Sequence, residues 1–251
     1  MFKSGLKYKF KAVNAHGIHS PFVFEFYNEV LKKAHLSEKK EIEKLRKQLL
    51  ADHSEIEITD FGAGSRIHNS NKRKISDLAK HAAISKKYGR LLSRVVEYYD
   101  LKNALELGTS LGIGTLYISS GGADITTLEG CPEIARNAQA NIDKLGFTSV
   151  DMKVGEFESS FSQLTNKEYD LIYIDGNHEE EATIKYFEKF LNHAHNDTFL
   201  VFDDIRWSEG MEKAWQKIIQ SEKIHVSIEL LRMGIVLKRK EQEKQHFILK
   251  F

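Results

Sequence analysis

Glu106-Leu107-Gly108-Thr109-Ser110-Leu111-Gly112-Ile113-Gly114-Thr115 decides how this chain is read, together with Thr126-Thr127-Leu128-Glu129-Gly130 further on. An apolar strand enters a turn with three glycines, a helix follows, and a second strand ends in a carboxylate. That order is how a nucleotide-binding α/β half-domain is written in sequence. Glycines let the backbone approach a ligand closely, and an acid closing the second strand can hold a ribose diol. The pattern predicts an adenosyl cofactor.

Spacing narrows the choice. Dinucleotide loops use G-x-G-x-x-G, because a pyrophosphate must rest on the helix N-terminus with glycines clearing the way. Here the glycines fall at Gly108, Gly112 and Gly114, and Glu106 stands two residues before the first. A carboxylate aimed into the loop repels a pyrophosphate and suits a sulfonium or ammonium. S-adenosylmethionine meets that requirement, whereas a nicotinamide-dependent oxidoreductase needs a pyrophosphate site this spacing does not supply. With this loop the chain resembles the class I S-adenosylmethionine-dependent methyltransferases. Its Glu-Leu-Gly-Thr opening with Gly112 beyond resembles the O-methyltransferase branch that includes catechol-type enzymes. A second glycine turn, Asp60-Phe61-Gly62-Ala63-Gly64-Ser65, follows the strand-like residues 55–59 but runs into a polar, basic stretch with no acid-ended strand after it. It is read as a turn, with a place near the active site as one option.

Composition sets outer limits. With 251 residues the chain is long enough for a sizeable core, and 41% hydrophobic and 29% charged residues are ordinary for a globular protein. A net charge of +1 predicts no general affinity for nucleic acid or membranes. The single cysteine, Cys131, excludes a disulfide framework within the chain and fits a reducing compartment. No stretch reads as a signal peptide or a membrane span, so the expected location is the cytoplasm.

Before residue 100 the apolar spacing is helical around residues 23–31, 42–49, 75–82 and 88–99. From residue 101 strands and helices alternate. Strands are expected at 104–107, 125–129, 150–154, 169–175 and 199–203, and helices at 132–145, around 187–194 and at 211–219. A closing antiparallel hairpin is read at 225–231 and 235–238, turning around Met233-Gly234, followed by a solvated tail. The expected architecture is α/β: a Rossmann-like, seven-stranded, mostly parallel sheet with an antiparallel last strand. Residues 1–100 form a helical N-terminal extension and 101–251 the cofactor-binding core. In the family resembled, such an extension covers the substrate.

Ligands in open α/β sheets bind beyond the carboxyl ends of the strands, so acids there carry the most weight. Glu106, Gly108, Ser110, Gly112 and Gly114 are expected at the methionine half of the cofactor, and Glu129 at both ribose hydroxyls. Gly130 and Cys131 follow under the adenosine. The resemblance puts Gly155-Glu156-Phe157 where the adenine is held, and Asp175 of Asp175-Gly176-Asn177-His178 beside the methyl group. It also sets Asp203-Asp204 where metal-dependent O-methyltransferases carry Asp-Asn. Asp175, Asp203 and Asp204 are candidate ligands for Mg2+ or another divalent cation, which would orient an acceptor hydroxyl and lower its pKa. Asp204 in place of the amide weakens that assignment. Without a metal, Asp175 or His178 is the candidate general base.

The function expected is methyl transfer to an oxygen of a small or medium acceptor, an anionic one included. Between Arg66 and Arg94 nine Lys or Arg face Asp77 alone. That run reads as a solvated face, or as a feature recruiting an anionic substrate or an RNA. N-methyl transfer, RNA methylation and cofactor binding without turnover stay open as alternatives. So do the oligomeric state, a homodimer included, and the roles of His16, His19, Arg206 and Trp207.

Overall fold

The computed structural model describes residue 8 and residues 10–58, 71–161, 164 and 167–251. Helix α1 (Pro21–Glu25) starts on the Ser20 cap and widens into a π-helical turn, Phe26–Leu31. Next come α2 (Lys40–Leu50), β1 (Glu55–Glu57), β2 (Lys72–Lys74), α3 (Ile75–His81) and α4 (Lys86–Tyr99). The alternating part runs β3 (Asn103–Leu107), α5 (Ile113–Ser119), β4 (Asp124–Glu129), α6 (Pro132–Lys144), β5 (Val150–Val154) and α7 (Phe157–Phe161). It continues with β6 (Tyr169–Ile174), α8 (Glu180–Phe190), β7 (Ala194–Phe202), α9 (Glu209–Gln220), β8 (Val226–Leu230), β9 (Met233–Leu237) and β10 (Gln245–Ile248). These residues fall into two units, 34–165 and 1–33 with 166–251.

In the unit of residues 34–165, β3 pairs with β4 and β4 with β5, all parallel, with Glu106 level with Thr127 and Glu129 with Val154. The helices follow the sequence periodicity. α4 buries Tyr88, Leu91, Leu92, Val95 and Val96 on one stripe and closes on Asp100 in a left-handed conformation, φ 52°. Gly89 brings α4 against the Tyr117 ring of α5, where an added Cβ would lie 2.3 Å from the ring. Two residues of the basic run are spent on ion pairs within this unit. Lys86 and Arg90 both reach Glu43, at 2.7 and 2.6 Å, and Arg90 also reaches Glu38 at 3.1 Å. The predicted turn at residues 60–65 and the start of the basic run lie outside the described residues.

In the other unit the strands are ordered β10-β8-β9-β7-β6. β6 and β7 are parallel, β9 runs antiparallel to both β7 and β8, and β10 is parallel to β8. Phe22 and Phe26 pack on Phe199 with ring centroids 6.3 and 6.2 Å apart, and Phe187 and Trp215 flank Phe202. The Arg239 guanidinium covers the outer face of Phe22 at 4.2 Å.

Three expectations are corrected. Among the described residues beyond 100 the strands number eight, not seven, because the tail read as solvated contains β10, which pairs with β8 and leads into a bridge between Leu249 and Val13. The antiparallel strand is therefore β9 and not the last. β7 begins at Ala194, and its register against β6 jumps from Tyr169↔Ala194 to Leu171↔Phe199. Thr198 and His195 fill that irregularity by bonding the Tyr169 carbonyl and the Asp170 carboxylate. The final hairpin turns at Leu231-Arg232, and Gly234 lies inside β9. Gly234 serves close packing, since a Cβ there would lie 2.5 Å from the Trp215 ring.

Gly234→Ala should therefore destabilise the protein by about 1–3 kcal/mol through overpacking against the indole. Urea unfolding should show a lower midpoint with an unchanged slope. An unchanged midpoint would show that the ring yields freely.

Candidate functional site

β3 ends at Leu107, and the chain must reverse at once to enter α5. Gly108 (φ 99°), Ser110 (φ 50°) and Gly112 (φ 81°) all take left-handed conformations to do so. The amides of Gly108 and Thr109 donate to the Leu128 carbonyl at 3.0 and 3.2 Å, hanging the loop from β4. Glu129, at the end of β4, closes the arrangement. Its Oε2 accepts from the Ser110 amide and its Oε1 from the Cys131 amide, both at 2.9 Å. The Gly155 amide donates to the Glu129 carbonyl at 2.9 Å. Gly108, Ser110, Gly112, Glu129, Gly130, Cys131 and Gly155 are thus gathered at one end of β3, β4 and β5. Gly114 lies buried within α5, Glu156 is exposed, and Phe157 begins α7. Cys131 is buried at the N-cap of α6, and the Ser110 Oγ is buried with no hydrogen-bond partner.

Glu106, expected to face the ligand, is turned into the protein at 1% exposure. Its Oε2 accepts from the Thr115 hydroxyl of α5 and, at 2.7 Å, from the Thr127 hydroxyl of β4. Thr127 in turn meets Thr109 at 2.6 Å. Burial pushes the Glu106 carboxyl up to about 7, against the pull of the two hydroxyls and with the help of the charge of Glu129. Burial also raises Glu129, opposed by the amides of Cys131, Ser110 and Gly130.

A second polar group belongs to the unit of residues 1–33 and 166–251. Asp175 follows β6, Asp203 and Asp204 follow β7, and Arg232 stands in the β8–β9 turn. Arg232 donates through Nε to Asp203 Oδ1 at 2.8 Å and through Nη2 to Asp203 Oδ2 at 3.1 Å. The same guanidinium meets Asp204, with Nε 3.0 Å from Oδ1 and Nη2 3.3 Å from Oδ2. The Tyr173 hydroxyl lies 2.9 Å from both Asp203 Oδ2 and Asp175 Oδ2, and the Asp204 amide donates to Asp203 Oδ1 at 2.8 Å. The carboxylates expected to share a metal are instead held by an arginine and a tyrosine. Among the described residues no group of three or more His, Cys, Asp or Glu is arranged to hold an ion. Burial first, and then the charges of Asp203 and Asp204, raise Asp175 well above the usual carboxylate range. Burial, and then the charge of Asp203, raise Asp204 to about 6, against the pull of Arg232.

His178 Nε2 lies 3.6 Å from Asp175 Oδ1, and burial lowers its pKa. Between them in sequence, Asn177 is left-handed (φ 47°) and its buried Oδ1 has no partner. Arg206, a candidate for the acceptor pocket, is bonded to the buried Glu229, while Trp207 is 40% exposed. The sequence reading missed Arg232, Tyr173, Thr115 and Thr127. Tyr173 and the threonines lie inside motifs that were read for their acids and glycines. Arg232 carries no motif at all, since a hairpin turn does not announce which strand end it reaches.

Residues 105–205 match a family model described as a methyltransferase domain. A catechol O-methyltransferase of Niastella koreensis is 30% identical over 130 residues, covering 49% of this chain and 58% of that protein. The chain thus spans little more than half the length of that curated relative. An SAH-bound methyltransferase of Podospora anserina superposes with a TM-score of 0.63 at 16% identity, covering 88% of this chain and 99% of the other. An O-methyltransferase from Bacillus cereus in complex with SAH gives 0.60 at 19% identity, covering 84% and 96%. Likeness at these identities establishes the Rossmann-like methyltransferase fold.

Glu106 holds its proton to about pH 7 in the folded protein, against an ordinary value of 4.5. The folded state therefore binds more protons than the unfolded chain across that interval, and stability falls as pH rises from 4.5 to 7, then levels. Glu106→Gln keeps the shape and the acceptor oxygen without the titration, so above pH 7 it should be more stable than wild type by up to ~3 kcal/mol. Melting curves against pH test this. Parallel curves for the two proteins would mean that Glu106 titrates normally.

Proposed function

We propose that this class I, O-methyltransferase-like protein is an enzyme that transfers the methyl group of S-adenosylmethionine to an oxygen of a small or medium acceptor. The observation that carries the proposal is the Glu129 clamp. Its two oxygens accept from the Ser110 and Cys131 amides, the Gly130 amide adds to their pull, and the carboxylate's remaining acceptor capacity is what a ribose diol would meet. Beside it lies the partnerless Ser110 Oγ, a buried polar atom that a ligand would satisfy. The residues present therefore fit an adenosyl cofactor.

When bound, S-adenosylmethionine supplies a methyl group on a positively charged sulfur, open to in-line attack by an oxygen. The remaining work belongs to the chain. Gly108 and Gly112 keep the loop backbone bare, Gly114 continues into α5, and Glu106 braces the loop from behind through Thr115 and Thr127. Gly130, Cys131, Gly155, Glu156 and Phe157 take the adenosine side in this reading. His178, kept neutral by burial, takes the proton of the acceptor hydroxyl. Asp175 favours its protonated, neutral form, which argues against it as the base. Asp203 and Asp204 enter with Arg232 as their counter-ion.

Lys86 and Arg90 are engaged with Glu43 and Glu38, which favours a small-molecule acceptor over RNA. No helix among the described residues is long and apolar enough to cross a membrane. The one buried cysteine supports placing the enzyme in a reducing compartment, the cytoplasm.

Calorimetry with S-adenosylmethionine and S-adenosylhomocysteine should show binding that Glu129→Gln weakens about tenfold to a hundredfold, the cost of charged hydrogen bonds to the ribose. Absence of binding by wild type would overturn the proposal. Binding with no S-adenosylhomocysteine released from any hydroxylated acceptor would point to a cofactor-binding protein without turnover. Because burial lowers His178 below the ordinary 6.5, kcat/KM should hold down to that pH and fall only beneath it, and His178→Gln should remove the fall. A profile unchanged in the variant would exclude His178 as the base.

A further inference from the structure

We propose that Arg232 is the built-in cation of the Asp175, Asp203 and Asp204 group, filling the place of a divalent ion, and that its removal opens a metal site. For its catalytic meaning this rests on the methyltransferase reading, but its geometry and its test stand apart from that reading.

Asp203 is fully buried, with no exposed side-chain area. An ionised carboxylate has about four lone-pair sites on its two oxygens. All four are taken: Oδ1 by Arg232 Nε and the Asp204 amide, Oδ2 by Arg232 Nη2 and the Tyr173 hydroxyl. A hard cation needs a bare oxygen at about 2.0–2.6 Å. It can reach Asp203 only by expelling one of these donors. The two guanidinium nitrogens that hold Asp203 also lie within 3.3 Å of the oxygens of Asp204. One planar cation thus spans both acids, the fork geometry for which arginine is suited and lysine is not.

Arg232 is also fixed from behind. Its amide donates to the Leu230 carbonyl at 2.8 Å, which folds Leu231 into a left-handed conformation at φ 63°. Its carbonyl accepts from the Ile205 amide at 2.9 Å, tying the hairpin turn to the segment that carries Asp203 and Asp204. Asp203 and Asp204 place two carboxylates within reach of one guanidinium, so the paired negative charge and the arginine that meets it occur together. Arg232 is a positioning residue in this scheme: it holds Asp203 and Asp204 in place, and Asp203 holds Tyr173 against Asp175.

The test is Mn2+ binding, followed by calorimetry on chelator-treated full-length protein and titrated to about 1 mM, where weak oxygen sites fill. Wild type should show no saturable binding. Arg232→Ala should gain it, and adding Asp203→Asn should abolish the gain. Saturable binding by wild type that is lost in Asp203→Asn would overturn the proposal, as would a folded Arg232→Ala protein that stays silent. If Arg232→Ala unfolds once its acids lose their partner, Mn2+ should restore its circular dichroism, and failure to do so would equally overturn it. S-adenosylhomocysteine binding in the same wild-type sample reports separately on the methyltransferase reading. Its absence beside a silent Mn2+ titration would sink that reading and leave the role of Arg232 intact.

Discussion

A buried carboxylate must be answered by donors, and this chain ends its central strands in carboxylates. Taking an ionised carboxyl out of water without partners costs several kcal/mol, which no domain of marginal stability can spare more than once. Each strand end meets the demand from its own surroundings. Glu106 takes two threonine hydroxyls, Glu129 two loop amides, and Asp203 an arginine, a tyrosine and an amide. These donors come from the next element along the chain or in the sheet, so satisfying the acids also sets the loops. The glycine turn after β3 has its shape because Glu129 holds the Ser110 amide. In the β8–β9 turn, Leu231 takes a left-handed conformation at a cost of roughly 1–2 kcal/mol, next to the arginine that meets the acids.

The acids divide by what they leave open. Glu129 keeps unused acceptor capacity beside an unsatisfied hydroxyl, which is how a site prepared for a diol looks. Asp203 keeps none, which is how a structural anchor looks. Glu106 lies between them: well bonded, yet buried deeply enough that its charge is conditional on pH. Carboxylates near the carboxyl ends of β3, β4 and β7 thus perform three different tasks, and the donor count separates them.

Much of the fold was legible because its signals are periodic. The α4 stripe, the Pro132 start and Gly146 stop of α6, and the short apolar strands before each acid follow from side-chain spacing alone, as does the glycine turn with Glu129 beyond it. What escaped depends on partners distant in sequence. β10 follows a stretch of Lys, Arg, Glu and Gln, residues 238–244, whose composition suggests solvent, and it pairs with β8. Gly234 looked like a turn because its packing partner, Trp215, lies nineteen positions earlier. Arg232 had no local mark at all. Sequence spacing located the acids correctly at strand ends but could not tell which would face a ligand and which would face a guanidinium.

β10 has a consequence beyond pairing. β8 is buried along its length, and an uncovered flank of such a strand would present a row of backbone amides and carbonyls ready to recruit another molecule. β10 occupies that flank, and the bridge from Leu249 to Val13 fastens it down. The open edge thereby moves from the fully buried β8 to β10, where Gln245 and His246 stand among half-exposed positions. An edge of mixed polarity is a poorer template for a second chain than a buried strand laid bare, quite apart from anything the protein does to a substrate.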